Sequence, residues 1–188
     1  MRGSGSRSGS GSGVGHSRAG SGSAWPQEGV LTRFAGARVA VLGTIDHERG
    51  ARAAPHLVPV TFAMDLDRLD PGAEPAERGP AAPRVLTAVD AKPKKGPALR
   101  RLRNIAANPA VSLLVQSWSE DWAALWWVRA DGTAEISDDA AVLDRARALL
   151  AAKYRQYGSV AVTGPVVVVT VEAWRAWSPV SEPEIYGR

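Results

Sequence analysis

Cysteine is absent from the chain, which excludes disulfide staples, thiolate nucleophiles and Cys-ligated zinc and fits a reducing compartment. Histidine is scarce, with only His16, His47 and His56 present. None has a second His or an acid at metal-ligand spacing, so no metal site is expected; His47 reads as a solvated turn residue and His56 as a strand-edge residue. No apolar run approaches the roughly 18 residues needed to cross a bilayer, and the N-terminus lacks the apolar core of a secretory signal. The expectation is a cytoplasmic protein without membrane contact. There is also no GxSxG elbow, no Walker loop and no GxGxxG. An enzyme built on this chain would therefore depend on a cofactor that brings its own reactivity.

What is present is a chain of 188 residues, 45% hydrophobic, enough for one domain with a sizeable core. The formal net charge is +4, yet residues 89–109, "VDAKPKKGPALRRLRNIAANP", hold six Lys or Arg against one acid. Basicity is local, so a chain-wide attraction to nucleic acid or membrane is not the natural reading.

Residues 1–23 are nearly all Gly and Ser, cannot offset their ordering entropy and read as a disordered tail. A domain over 24–180 and a C-terminal tail over 181–188 complete the division. Within the domain, "DPGAEPAERGPAAP" (70–83) reads as a flexible loop at a hairpin tip. Six short runs rich in β-branched residues predict strands at 39–45, 56–62, 84–89, 111–115, 125–136 (bending at Asp131-Gly132) and 165–174. Helical periodicity appears at 25–36, from Pro97 to Pro109, and at 138–157, where Val142, Leu143, Ala146, Leu149 and Leu150 form one stripe behind Asp138 and Asp139. Few helices and many antiparallel-type strands predict a mainly β fold, a six-stranded antiparallel barrel.

The basic stretch is the best candidate for holding a ligand. Lys92, Lys94 and Lys95 fall in a turn after a strand, and Arg100, Arg103 and Asn104 fall on the helix face turned away from Leu99, Leu102 and Ile105, with Arg101 flanking. Cations in a turn beside a helix N-terminus suit a phosphorylated small molecule. A solvated helix face and a nucleic-acid contact are the competing readings; the second is disfavoured because the cations are confined to about one helix.

Tryptophan is over-supplied, seven residues against two Phe, with four in "QSWSEDWAALWW" (116–127). In a strand Trp126 and Trp127 point to opposite faces, so one joins the core while the other meets an interface, a ligand or water.

The ordered set "HLVPVTF", "LTAVDAKPK", "LRRLRNIAANPAVSLLV", "DWAALWWVRADGTA" and "ALLAAKYRQY" resembles the pyridoxamine 5'-phosphate oxidase-like split-barrel superfamily, within it most closely the actinobacterial branch of coenzyme F420 (deazaflavin) dependent enzymes. The resemblance spans residues 28 to about 178. It implies a PNPOx-like six-stranded split β-barrel that forms a homodimer, with a flavin or deazaflavin in a groove between subunits. It further implies that the backbone of Val58, Pro59, Val60 and Thr61 runs along the ring system and that Thr87, Ala88, Asp90, Lys92, Lys94, Arg100, Arg101 and Asn104 hold the ribityl phosphate. Trp126 and Trp127 match a strand approaching from the partner subunit. Many cations favour the deazaflavin, with its additional carboxylates, over FMN. Two alternatives stay open: an FMN-dependent oxidase or reductase, and a flavin-, deazaflavin- or haem-binding protein without turnover.

Overall fold

The computed structural model describes residues 27–46, 50, 52–66, 82–90 and 99–179. The Gly/Ser tail, residues 70–81 of the expected loop, Lys92, Lys94 and Lys95, and the 181–188 tail lie outside these residues. The chain runs α1 (Gln27–Gly36), β1 (Ala40–Ile45), β2 (Pro55–Val60), β3 (Ala63–Asp65), β4 (Arg84–Asp90), α2 (Arg100–Ala107), β5 (Ala110–Ser117), β6 (Trp126–Ser137), α3 (Ala140–Lys153) and β7 (Val162–Trp177). The strands make one sheet in the order β2-β1-β5-β6-β7-β4-β3, every neighbouring pair antiparallel.

The sequence periodicity predicts six strands in a closed or nearly closed barrel, and the structure corrects the count to seven, in a hydrogen-bonded order that stays open. The strand expected over 56–62 stops pairing at Val60, and pairing resumes at Ala63 on the opposite end of the sheet. Three Cα steps of about 3.8 Å hold Val60 and Ala63 within roughly 11 Å. Covalent chain therefore joins the two ends where no ladder does. Tyr154, buried, secures this junction: its hydroxyl accepts from the Phe62 N–H at 3.0 Å and lies 2.8 Å from the Phe62 carbonyl and 3.0 Å from the Arg38 carbonyl, to either of which it can donate. Tyr157 adds a 2.7 Å hydroxyl contact to Thr61 Oγ1.

Alternation along β4 and β7 explains why the run "VVVV" (166–169) is apolar throughout. Val85, Val167, Val169 and Val171 face the barrel interior with Val30 and Phe34 of α1 and Ile105 of α2. Leu86, Ala88, Val166 and Val168 face the other way, onto Ala146, Leu150 and Tyr154. A strand covered on both faces loses its polar alternation. The α3 stripe is as its period requires, with Ala146 and Leu150 fully buried and Val142, Leu143 and Leu149 packed around them, and Asp139 caps it by accepting from the N–H groups of Ala141 and Val142. A buried carboxylate, Asp65, accepts from both Arg84 and Arg145 and so ties α3 to β3 and β4.

The bend expected at Asp131-Gly132 is a register shift of β6 against β7. A Cβ on Gly132 would stand 2.1 Å from the Thr170 carbonyl oxygen, so only glycine admits that approach.

Candidate functional site

β2 is an edge strand, so its backbone groups facing away from β1 are outside the ladder. β3 is only three residues long and pairs with Arg84, Val85 and Leu86, which leaves Thr87 to Asp90 of β4 without a strand partner on that side among the described residues. Continuing the register from Ala63 opposite Leu86 carries Phe62 toward Thr87 and Thr61 toward Ala88. The split in the barrel is therefore bordered by β2 up to Thr61 and by Thr87–Asp90. Val58, Pro59, Val60 and Thr61, together with Thr87, Ala88 and Asp90, are brought to one opening. Their side chains differ in role: Pro59 is exposed, Val60 and Thr87 are buried, and Ala88 is packed beneath α3, so that position offers the split only backbone.

Along β2, at about 3.3 Å per residue, Thr61 lies roughly 16 Å from His56. His56 sits in a polar corner where β1, β2 and the start of α2 meet. Its Nδ1 is 3.5 Å from Thr44 Oγ1, which accepts a 2.9 Å hydrogen bond from the Asn104 amide. Arg100 forms an ion pair with Asp46. Burial, then the positive charges of Arg100 and Arg101, lower the His56 pKa from its ordinary 6.5, with Asp46 opposing. The field in the corner is net positive despite the acid, a setting that favours an anion.

Two expectations about α2 change here. Asn104 is buried beside Ile105 rather than on the face turned away from it, because the helix sinks both residues together and the amide finds Thr44. Arg100 is engaged by Asp46, while Arg103 is exposed and Arg101 half-buried. Asp46 carries no sequence signal and His56 reads only as a strand-edge residue, because their convergence on α2 depends on the fold and not on local pattern. For Tyr154 and Tyr157 the available signal is "KYRQY" at the end of a helix, which places two aromatic hydroxyls three residues apart.

Trp126 and Trp127 behave as the two-residue period requires. Trp126 packs against the barrel core, while Trp127 pairs across the sheet with Gln116 and Trp177. Glu120 and Asp121 are exposed, and Asp121 caps the turn Trp122–Ala124.

A second polar group occupies the outer sheet face. Asp131 accepts from Ser112 at 2.6 Å and from both Nε and Nη2 of Arg129 at 3.1 and 2.9 Å. Burial pushes this carboxyl up, but Ser112, Arg129 and Arg175 outweigh it and the net pKa is lowered. No group of three or more His, Asp or Glu that could hold a metal occurs among the described residues, and no helix among them is long and apolar enough to cross a membrane.

The residues bordering the split and the corner fit a ligand with a flat hydrogen-bonding ring and an anionic tail, through edge-strand backbone groups at one end and a positive field at the other. A family model described as pyridoxamine 5'-phosphate oxidase matches residues 27–178. No curated protein matches the sequence. Among solved structures, a conserved hypothetical protein from Mycobacterium tuberculosis superimposes with a TM-score of 0.56 at 17% identity, over 82% of this chain and 85% of that one. A protein from Mesorhizobium loti described as FAD-binding superimposes with a TM-score of 0.52 at 17% identity, over 80% of this chain and 91% of that one. At such identities the likeness concerns the fold.

Proposed function

The chain belongs to the pyridoxamine 5'-phosphate oxidase family, and from that premise we propose that it is an oxidoreductase that binds the deazaflavin coenzyme F420 and passes a hydride between it and an organic acceptor. The observation that carries this reading is the coincidence of two free strand edges, β2 and the end of β4, with a positively charged corner one strand-length away. The coenzyme, when bound, would supply the hydride chemistry; the chain supplies binding, orientation and exclusion of water. Backbone groups of Val58–Thr61 and Thr87–Asp90 would hydrogen-bond the ring, and Arg101 with the neighbouring cations would hold the phosphate. Tyr154 and Tyr157 fix the backbone and hydroxyl of the Thr61-Phe62 junction and so set where the ring can lie. No side chain is assigned as a general acid or base.

A homodimer is part of the proposal. Val39, Ile45 and Leu57 are large apolar side chains left exposed along β1 and β2, Leu57 at 64%, as expected of a face that a second subunit covers. Leu57→Lys is expected to shift the chain toward monomer in light scattering.

FMN is the second reading, and the Arg100–Asp46 ion pair favours it. A cation already matched by an acid contributes less to a tail with many carboxylates than to the case for one phosphate. Titration of the purified chain with each cofactor separates the two. Tight binding of the deazaflavin and weak binding of FMN is expected, and Arg101→Ala should weaken it about tenfold or more, since a hydrogen bond to a charged group contributes about 1.5–3 kcal/mol. Tight FMN binding without deazaflavin binding would move the assignment to the second reading. Tight binding with no hydride transfer to enones, quinones or tetrapyrroles would make the chain a binding protein.

A further inference from the structure

Lys153 is the last residue of α3. Its ammonium is buried 3.7 Å from the centroid of the Phe62 ring and 5.5 Å from that of Tyr154, and it makes no hydrogen bond among the described residues. Arg38, in the connection between α1 and β1, donates to the Lys153 carbonyl and lays its guanidinium over the Tyr154 ring, 4.4 Å from the centroid. Tyr154 accepts from the Phe62 N–H. Arg38, Tyr154 and Lys153 are thus linked in one cluster around Phe62, the residue at which the chain leaves β2 for β3 beside the split.

Folding does not account for the charge in this cluster. A buried cation without a partner costs stability, and an apolar side chain of similar length would fill the place without that cost. The charged group that acts on the amine, Arg38, has the same sign, and the titratable groups beside it are Tyr154 and Tyr157 in the turn after α3. What an ammonium adds over a hydrocarbon is attraction to the face of an aromatic ring, strongest where water is excluded. Phe62 is fully buried, 5.1 Å from the Phe34 ring, so it offers that attraction in a dry setting.

We propose that Lys153 is a positioning residue for the split: its ammonium holds the Phe62 ring, and through it the Thr61-Phe62 backbone, in the arrangement that receives a ligand, at a cost to the stability of the fold. This rests on the reading of the split as the cofactor site. The consequence is that stability and binding respond in opposite directions to loss of the charge. Burial and Arg38 lower the amine to about 8, so the proton is lost from the folded chain as pH rises through that value. Stability then climbs toward the ordinary 10.5, because the unfolded chain still binds the proton. The hold on Phe62 weakens over the same range. A residue serving only the fold would move stability and binding together.

The test uses the full chain in two arms. Without cofactor, hydrogen exchange reads the protection of the Phe62 amide, corrected for the intrinsic rate. As pH rises through about 8, protection of this amide is expected to fall in the wild-type chain while global stability increases. In Lys153→Met the protection should start lower and show no such step. With the deazaflavin coenzyme, Lys153→Met should raise the thermal midpoint at pH 7 yet weaken binding about fivefold or more, the size of one lost cation–aromatic contact. Wild-type affinity should decline toward that of the variant through the same titration. The proposal is overturned if Phe62 protection follows global stability, or if Lys153→Met is more stable and binds the coenzyme as tightly as the wild-type chain. The wild-type exchange arm decides the matter even where the variant folds poorly. If Phe62 protection steps down as expected but no flavin-type cofactor binds, the hold on Phe62 stands and the function proposed for the split falls.

Discussion

The corner around α2 and a cavity walled by Trp118, Trp127 and Trp177, where β5 finishes and β6 begins, are opposites in how their groups are satisfied. In the corner the polar groups meet one another: Asn104 bonds Thr44, Arg100 pairs with Asp46, and His56 lies against Thr44. In the cavity Trp118 and Trp177 stay partly in water, at 77% and 45% exposure. A matched polar network holds its geometry whether or not a ligand is there, so the corner is preorganised. Indole surface left in water contributes little to folding.

That contrast breaks most sharply at Asn104. Asn104→Leu leaves the buried Thr44 hydroxyl without its donor, and a loss of about 1–3 kcal/mol is expected in denaturant unfolding. A loss as small as that of an exposed residue would mean the corner is not a matched network.

Lys153 sharpens the comparison, as a cation without the partners found in the corner. Its ammonium is buried with no hydrogen-bond partner among the described residues, 3.7 Å above the Phe62 ring. Burial, then the charge of Arg38, lowers its pKa from 10.5 to about 8. Between these values the unfolded chain binds more protons than the folded one, so stability rises as pH increases from about 8 toward 10.5 and the penalty is full below 8. Lys153→Met should abolish that rise in thermal unfolding across the same pH range and should stabilise the chain at pH 7.

A weaker effect of the same sign belongs to His56. Its folded pKa lies below 6.5, so stability is retained above that value and falls as pH drops through the folded pKa. His56→Gln should flatten this acid limb. An anion bound beside Arg100 and Arg101 should raise the His56 pKa, which ring-proton NMR would read directly.

The smallest expected change is Trp118→Ala. At 77% exposure the side chain contributes little to folding, and a loss within about 0.5 kcal/mol is expected by urea unfolding. A loss of several times that size would show that the cavity wall is structural and would erase the contrast with the corner.

How much was legible in the sequence differs between these regions for a physical reason. Strands, the α3 stripe, the stop at Pro109 and the opposed faces of Trp126 and Trp127 follow from local periodicity, and the structure has them. The seventh strand was not legible because β2 and β3 form one apolar run; only tertiary geometry divides it at Thr61 and Phe62, where Tyr154 and Tyr157 bind. The burial of Asn104 was hidden for a similar reason, since its partner Thr44 lies sixty residues earlier. The clustering of cations near α2 was visible as composition, while the neutralisation of Arg100 by Asp46 required the fold.

The central claim is that the split between the edges of β2 and β4, ending at the α2 corner, receives a flavin-type ring and its anionic tail. Backbone amide NMR of the full chain during titration with the deazaflavin coenzyme tests it most directly. The account predicts the largest shifts at the amides of Val58, Val60, Thr61 and Thr87 to Asp90, accompanied by the His56 ring. Shifts concentrated instead on the outer face at Ser112 and Asp131, with the β2 and β4 edges unmoved, would contradict it.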